Sequence, residues 1–277
     1  LMMTEAFDGR PPLCLRGAYD GSVIFLQRKY GGVTVPTSLT LNRREGFWPM
    51  ERFEDPSIVA DVSTDDWPFL YMAARVYPRS YIFMGLLVIG LTALLVRNFT
   101  DERPAFSHGV FFFLGAGFML VETKAITELG LTFGNTWHVI GISIAGILAM
   151  AFLATVAVSR FRPQGVAIPF VLLLASLGLG WWVSRAGGFA PTAAGKLGAV
   201  ALLSLPILFS GILFARFLDG VDIGAAMAVN LMGAMVGGLL EYNAMYFGFR
   251  FLYGLAAALY ACAFVMAWRI PARLSAR

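Results

Sequence analysis

Charged residues are scarce in this sequence, and their scarcity excludes a soluble globular protein. Lys, Arg, Asp and Glu make up 14% of the 277 residues, whereas apolar side chains make up 58% and the mean hydropathy is +0.72. Soluble domains carry roughly 25% charged residues, because a surface in contact with water needs them. Half of the charged side chains, 19 of 38, lie before Tyr81. The sequence therefore predicts a polar extramembrane region at 1–79 and a helical membrane domain at 80–277.

Cysteine and histidine are also rare, with two of each. Cys14 lies in the polar region and Cys262 in an apolar run, so we expect Cys262 to be a small packing residue and no disulfide to join them. His108 and His138 are isolated at the starts of predicted helices, and the sequence predicts no metal site. The net charge is +4 and the basic residues are scattered, which gives nucleic-acid binding no support.

The polar region predicts a few short strands. Residues 13–16 and 22–26 form a predicted hairpin, 34–41 another strand, and 43–55 a polar loop. Two or three strands without covering helices bury too little to be stable alone. We therefore expect region 1–79 to be the end of a larger α/β domain, or a cap on the membrane domain. The chain begins with Leu1 and has no signal peptide, so we expect an upstream start or a partial sequence.

The most distinctive polar stretch is 63–71, with the sequence STDDWPFLY. In a structural interpretation, Thr64 or Asp65 caps a turn and the aromatic residues, beginning with Trp67, anchor at the membrane interface. In a functional interpretation, Asp65 and Asp66 bind a cation or an amine.

Seven stretches are apolar enough to cross a bilayer, whose hydrocarbon core needs roughly 20 helical residues. They are 80–96, 107–128, 136–160, 166–184, 196–217, 224–247 and 251–270. The predicted fold class is thus an all-α membrane protein with about seven transmembrane helices after a small polar, β-containing region. Slightly more basic residues flank the C-terminal side of the spans, which favours a cytoplasmic C-terminus.

Polar side chains inside lipid are costly, so each one within a span is a candidate site. The second span carries Glu122, Lys124 and Glu128, and the spacing of Lys124 and Glu128 predicts an ion pair on one helix face. In one interpretation, the membrane ends near Val121 and the pair lies at an interfacial helix end. In the other, a polar cluster inside the bundle binds a substrate, an ion or a neighbouring subunit.

The sixth span holds a second set of candidates. Its members are Asn230, Gly233, Gly237, Gly238, Glu241 and Tyr242. Gly233 and Gly237 form a small-residue pair that allows another helix to approach closely. In the packing interpretation, Glu241 is hydrogen-bonded across helices. In the alternative interpretation, Glu241 and the charged residues of the second span surround a polar cavity.

Five segments across nearly the whole chain carry a resemblance to a known family. They are 64–71 (TDDWPFLY), 111–124 (FFFLGAGFMLVETK), 132–137 (TFGNTW), 209–217 (FSGILFARF) and 230–242 (NLMGAMVGGLLEY). Together they resemble bacterial spermidine-synthase-like, or polyamine aminopropyltransferase-like, integral membrane proteins. The resemblance implies that a nucleotide-binding α/β domain precedes the TDDWPFLY-like stretch and a membrane domain follows it. Residues 1–62 would then be the last strands of that domain.

The sequence departs from this family in one respect, because it has no Gly-rich strand-to-helix turn with a downstream acidic residue for an adenosyl cofactor. We therefore expect no catalysis and no cofactor for this chain alone. The expected function is an anchor, scaffold or accessory subunit in the bacterial inner membrane, with the lipid bilayer and other membrane subunits as partners. The alternatives are a transporter or binding protein for a small polar or cationic solute, and the membrane half of an adenosyl-cofactor-dependent enzyme.

Overall fold

The computed structural model describes residues 2–17, 23–33, 40–42, 45–49, 61–99, 108–134, 136–161, 165–190, 192–219 and 221–269. The chain divides into two compact units. The first comprises Leu1–Thr64 and Pro68–Arg75, and the second comprises Asp65–Trp67 and Val76–Arg277. Asp65–Trp67 thus belongs to the second unit, although the residues that flank it in sequence belong to the first.

The first unit contains one short helix and an antiparallel sheet. Its elements are α1 (Met2–Ala6), β1 (Leu13–Gly17), β2 (Val23–Leu26), β3 (Thr40–Asn42) and β4 (Glu45–Pro49), and the strand order is β2-β1-β4-β3. Leu13 pairs with Leu26 in the β1–β2 hairpin, which confirms that prediction. The alternation of turn formers and apolar residues at 13–26 was sufficient to identify this hairpin.

The prediction of a loop over 43–55 is wrong at β4. This strand pairs with β1, with Leu15 opposite Pro49, so its partner lies about thirty positions earlier in the chain. The sequence around a strand does not show a partner that lies far away in the chain. Pro49 at the end of β4 also disfavoured a strand prediction. The predicted strand at 34–41 overlaps the first two residues of β3. Its residues 34–39 lie outside the described part of the chain.

The second unit is helical. Its elements are α2 (Arg79–Phe99), α3 (Gly109–Phe133), α4 (Trp137–Phe161), α5 (Ala167–Arg185), α6 (Ala193–Phe217), α7 (Ile223–Leu240), α8 (Ala244–Phe247) and α9 (Phe251–Arg269). A 3₁₀ turn, Glu241–Asn243, continues α7 into α8. Within the described ranges, six helices are long and apolar enough to cross a membrane, with α7 and α8 counted together, and α2 has a shorter apolar stretch. These helices confirm an all-α, multi-pass membrane fold close to the seven spans predicted.

Helix α3 forms the centre of this bundle. It packs against α4, α6, α7 and α9. In its most apolar 18-residue stretch, 56% of the residues are buried, compared with 22% in the corresponding stretch of α4. Helix α2 packs chiefly on α7 and leaves most of its apolar side chains exposed. Exposed apolar side chains on a spanning helix face lipid, where they cost nothing. Polar residues on α3 therefore lie largely among other helices.

Candidate functional site

Lys124 and Glu128 form a buried ion pair one turn apart on α3. The Lys124 residue is only 4% exposed. Helix α3 continues nine residues beyond it, to Phe133, which is about 13 Å of helix. The predicted ion pair is therefore present, and it lies well before the end of α3. Neighbouring helices of the bundle cover this turn.

Tyr253 of α9 completes the charged cluster. The Lys124 Nζ atom lies 3.4 Å from the centroid of the Tyr253 ring, within cation–π distance. The Tyr253 hydroxyl donates a hydrogen bond of 2.9 Å to Glu128 Oε2. Each buried charge thus has a partner of complementary polarity, and the contacts join α3 to α9.

The two remaining acidic candidates lie apart from this pair. Glu122 is half-buried, and two residues of helix rotation place it on a different face of α3 from Lys124. Glu241 Oε1 lies 3.4 Å from the Thr127 hydroxyl of α3, which supplies the predicted cross-helix contact. The same hydroxyl donates to the Thr123 carbonyl at 2.9 Å. Since a hydroxyl has one hydrogen, the contact with Glu241 is the weaker of the two.

The predicted small-residue pair forms the crossing of α3 and α7. A Cβ atom on Gly233 would overlap the backbone of Phe112, and one on Gly237 would overlap the backbone of Ala116. Gly238 differs, because a Cβ atom there would make an ordinary contact of 3.7 Å with a side chain. Gly233 and Gly237, and not Gly238, therefore set how closely the two helices approach.

Asn230 strengthens this crossing with a polar contact. Its Nδ2 atom donates a hydrogen bond of 3.0 Å to the Phe111 carbonyl on α3. On the facing side, a Cβ atom on Gly115 would overlap the Asn230 backbone. The sequence analysis did not predict that small residues of α3 would allow this close approach. The LGAGF run at 114–118 has small residues in sequence, as α7 has at its glycines.

Tyr242 belongs to a group of aromatic side chains at one end of the bundle. It stacks on Tyr81 with ring centroids 4.8 Å apart, and Tyr77 stacks on Tyr246 at 5.4 Å. The Tyr77 hydroxyl donates to Asn243 Oδ1 at 2.8 Å. All four rings are partly exposed, at 37–44%. Tyrosine is typical of membrane–water interfaces, so this end of the bundle fits an interface.

Asp66 and Trp67 are inserted into the same end of the bundle, and we call this two-residue insertion the latch. Trp67 is fully buried, and its indole Nε1 donates to the Met245 carbonyl at 2.7 Å. The Asp66 side chain accepts from the Arg250 backbone N–H at 2.7 Å, and its backbone carbonyl accepts from Phe249 N–H at 2.8 Å. The latch therefore supplies partners to backbone groups at the end of α8 and before α9.

Gly248 makes the latch possible. Its φ of +89° is a left-handed conformation, and a Cβ atom there would lie 2.7 Å from Asp66 Oδ2. Trp67 was predicted to anchor at the membrane interface; its ring is buried against protein at the end of the bundle that carries the stacked tyrosines. Asp65 is exposed, whereas Asp66 binds the backbone. The two carboxylates that the sequence proposed as one cation or amine site therefore have different environments.

Asp66→Ala is expected to lower the free energy of unfolding of the helical unit by about 1–3 kcal/mol, because it removes the acceptor of a backbone N–H. Asp65→Ala is the matched control and should change stability by less than about 0.5 kcal/mol, because Asp65 is exposed. Thermal unfolding in detergent, followed by circular dichroism, measures both. Equal effects of the two substitutions would contradict the structural role given to Asp66.

The sequence analysis did not identify two partners in these clusters, Tyr253 and Arg250. Their roles depend on pairing with residues far away in the chain. Cys262 also differs from the prediction, since it is exposed on α9 and does not pack inside the bundle.

The chain matches no known family model, no curated protein and no solved structure. In the part of the chain that the structure describes, no group of three or more His, Cys, Asp or Glu side chains could hold a metal ion.

Proposed function

We propose that this chain is a non-catalytic membrane anchor for its polar N-terminal region, acting within a larger membrane assembly. The latch is the observation that carries this proposal. Asp65–Trp67 belongs to the helical unit, while Thr64 before it and Pro68 after it belong to the polar unit. The chain therefore enters the helical unit twice, first at Asp65–Trp67, whose contacts lie within that unit, and again at Val76.

The contacts of the latch are those of a permanent attachment. Trp67 buries its whole ring and forms a short hydrogen bond to a backbone carbonyl. Burying an aromatic side chain of this size contributes about 1.5–3 kcal/mol. Asp66 adds two hydrogen bonds to backbone N–H groups, one of them charge-assisted. Withdrawing the latch would expose all of these groups at once.

A transporter is supported less well. A transport site built from the charged residues of the second span and Glu241 would need a cavity that all of them line. The cavity beside Lys124 is lined by α3, α5, α6 and α9, and Glu241 is not among its lining residues. Lys124 is already paired with Glu128 and Tyr253. The charged residues around this pair therefore contribute to helix packing and leave Lys124 without a free site for a solute.

The resemblance to spermidine-synthase-like membrane proteins is in keeping with an anchor, because it implies a polar domain followed by a membrane domain. On the same basis we propose the bacterial inner membrane as the location, and other membrane subunits as partners. Whether the chain acts as a scaffold or as an accessory subunit depends on those partners.

Site-specific cleavage tests the anchor. A protease recognition sequence inserted between Arg75 and Val76 would separate the polar fragment, including the latch, from the helices. After cleavage and sedimentation of the membranes, we expect the polar fragment to stay with the membrane fraction. Trp67→Ala should release it into the supernatant, because the buried anchoring side chain is gone. Tyr71→Ala is the matched control, since Tyr71 is 75% exposed.

Two outcomes would contradict the proposal. One is release of the fragment that carries the intact latch, and the other is full retention of the Trp67→Ala fragment. Circular dichroism of the remaining helices would verify that the bundle stays folded in each variant. This check separates loss of attachment from general unfolding.

A further inference from the structure

A small cavity lies against the buried ammonium group of Lys124. Its other walls come from α5, α6 and α9, and include Ser176, Leu202, Pro206 and Tyr253. Its volume is about 10 Å³. This is close to the smallest volume that accommodates one water, and such a site also requires two to four polar partners.

Lys124 provides one such partner. An ammonium group has three N–H donors. Lys124 Nζ donates to Glu128 and lies 3.4 Å from the centroid of the Tyr253 ring, so these two contacts use two of the donors. Among the residues that the structure describes, none accepts a hydrogen bond from the third N–H. Lys124 is 4% exposed, so bulk water does not supply the missing acceptor, and leaving a charged donor unpaired is costly.

Two lining residues, Leu202 on α6 and Ser176 on α5, carry oxygen atoms with acceptor capacity that no helical donor uses. Pro206 lies inside α6 and has no N–H, so the carbonyl of Leu202 lacks the donor that an α-helix normally places four residues later. The Ser176 hydroxyl donates its one hydrogen to the Leu173 carbonyl at 2.7 Å. The lone pairs of the Ser176 oxygen therefore remain able to accept a hydrogen bond.

We propose that this cavity binds one structural water molecule. The water accepts a hydrogen bond from Lys124 Nζ and donates to the Leu202 carbonyl and to the Ser176 oxygen. It therefore connects α3, α5 and α6 through a polar network inside the membrane-spanning bundle. This inference is independent of the anchor proposal, since it concerns only the interior of the helical unit.

Electron density at a resolution that shows ordered water tests the site directly. We expect a single peak about 2.7–3.2 Å from Lys124 Nζ. A cavity without such a peak, or one filled by an acyl chain or detergent, would overturn the proposal.

Nuclear magnetic resonance of protein labelled with ¹⁵N-lysine gives a second, independent test. The chain has three lysines, and Lys29→Arg combined with Lys196→Arg leaves Lys124 as the one labelled lysine. A buried ammonium exchanges its protons slowly enough to be observed. We expect a cross peak between its protons and a long-lived water. An observable ammonium signal without that cross peak would overturn the proposal.

The acceptor can be tested with a pair of proline variants. Pro206→Ala gives the Leu202 carbonyl a helical N–H donor, so the cross peak to water should weaken or disappear. Pro169→Ala is the matched control, because Pro169 is also buried but lies in the first turn of α5, where no helical donor is needed. An unchanged cross peak in Pro206→Ala would overturn the assignment of Leu202 as an acceptor.

Discussion

Lys124→Met is expected to lower the free energy of unfolding of the helical unit by about 3–5 kcal/mol, because it leaves the Glu128 carboxylate inside the bundle without its cation. Lys124 is 4% exposed and Glu128 is half-buried, so water screens the unpaired charge poorly. Methionine is unbranched and similar in length, so the packing around position 124 is largely retained. Unfolding by denaturant in detergent micelles, followed by circular dichroism, measures the loss.

A double variant separates charge from packing. Lys124→Met combined with Glu128→Gln removes both charges and leaves an amide oxygen as acceptor for the Tyr253 hydroxyl, which donates to Glu128 at 2.9 Å. Buried pairs replaced on both sides by neutral groups are often as stable as the original, so most of the lost stability should return. A single variant as stable as the native chain, or a double variant as unstable as the single one, would show that the pair is not coupled.

Gly237→Ala is expected to destabilise the bundle by about 1–3 kcal/mol, because the added methyl group would overlap the Ala116 backbone at the crossing of α3 and α7. The two helices would have to separate, since a backbone carbonyl cannot move aside as a side chain does. Helix α7 makes its most extensive contact with α3, the central helix, so the loss would propagate through the bundle. Gly237→Leu should have a larger effect in the same direction.

Gly238→Ala is the matched control, because it makes the same chemical change one residue later. A Cβ atom on Gly238 would make only an ordinary contact of 3.7 Å with Met119. Its stability should be unchanged or slightly raised, since alanine favours helix over glycine. Melting temperatures of the two variants in one detergent give the comparison. If both are equally stable, Gly237 does not set the distance between α3 and α7.

Hydropathy was sufficient to locate the membrane helices, because a bilayer requires long apolar runs whose backbone groups are paired within the segment. The predicted third span at 136–160 corresponds to α4, Trp137–Phe161. The same kind of local information identified two features of the candidate site. The spacing of Lys124 and Glu128 indicated a pair on one helix face, and the spacing of Gly233 and Gly237 indicated a close helix crossing.

Other features of the site depend on contacts between distant residues. Asp65 and Asp66 are equivalent in the sequence, yet one is exposed and the other binds the Arg250 backbone. The burial of Trp67 likewise depends on a distant partner, because its indole bonds to Met245, 178 positions later in the chain. The neighbouring sequence of a polar or aromatic residue is the same whether the residue is exposed or buried against a distant segment.

The sequence by itself therefore determined that this is a multi-pass helical membrane protein and which of its residues are costly to place in lipid. Only the tertiary structure decided that α3 is the central helix, that Lys124 is buried against Tyr253, and that the latch closes the turn between α8 and α9. The physical reason is the range of the interactions. Partition into a bilayer depends on each segment's own composition, whereas the pairing of buried groups depends on how all the helices pack together.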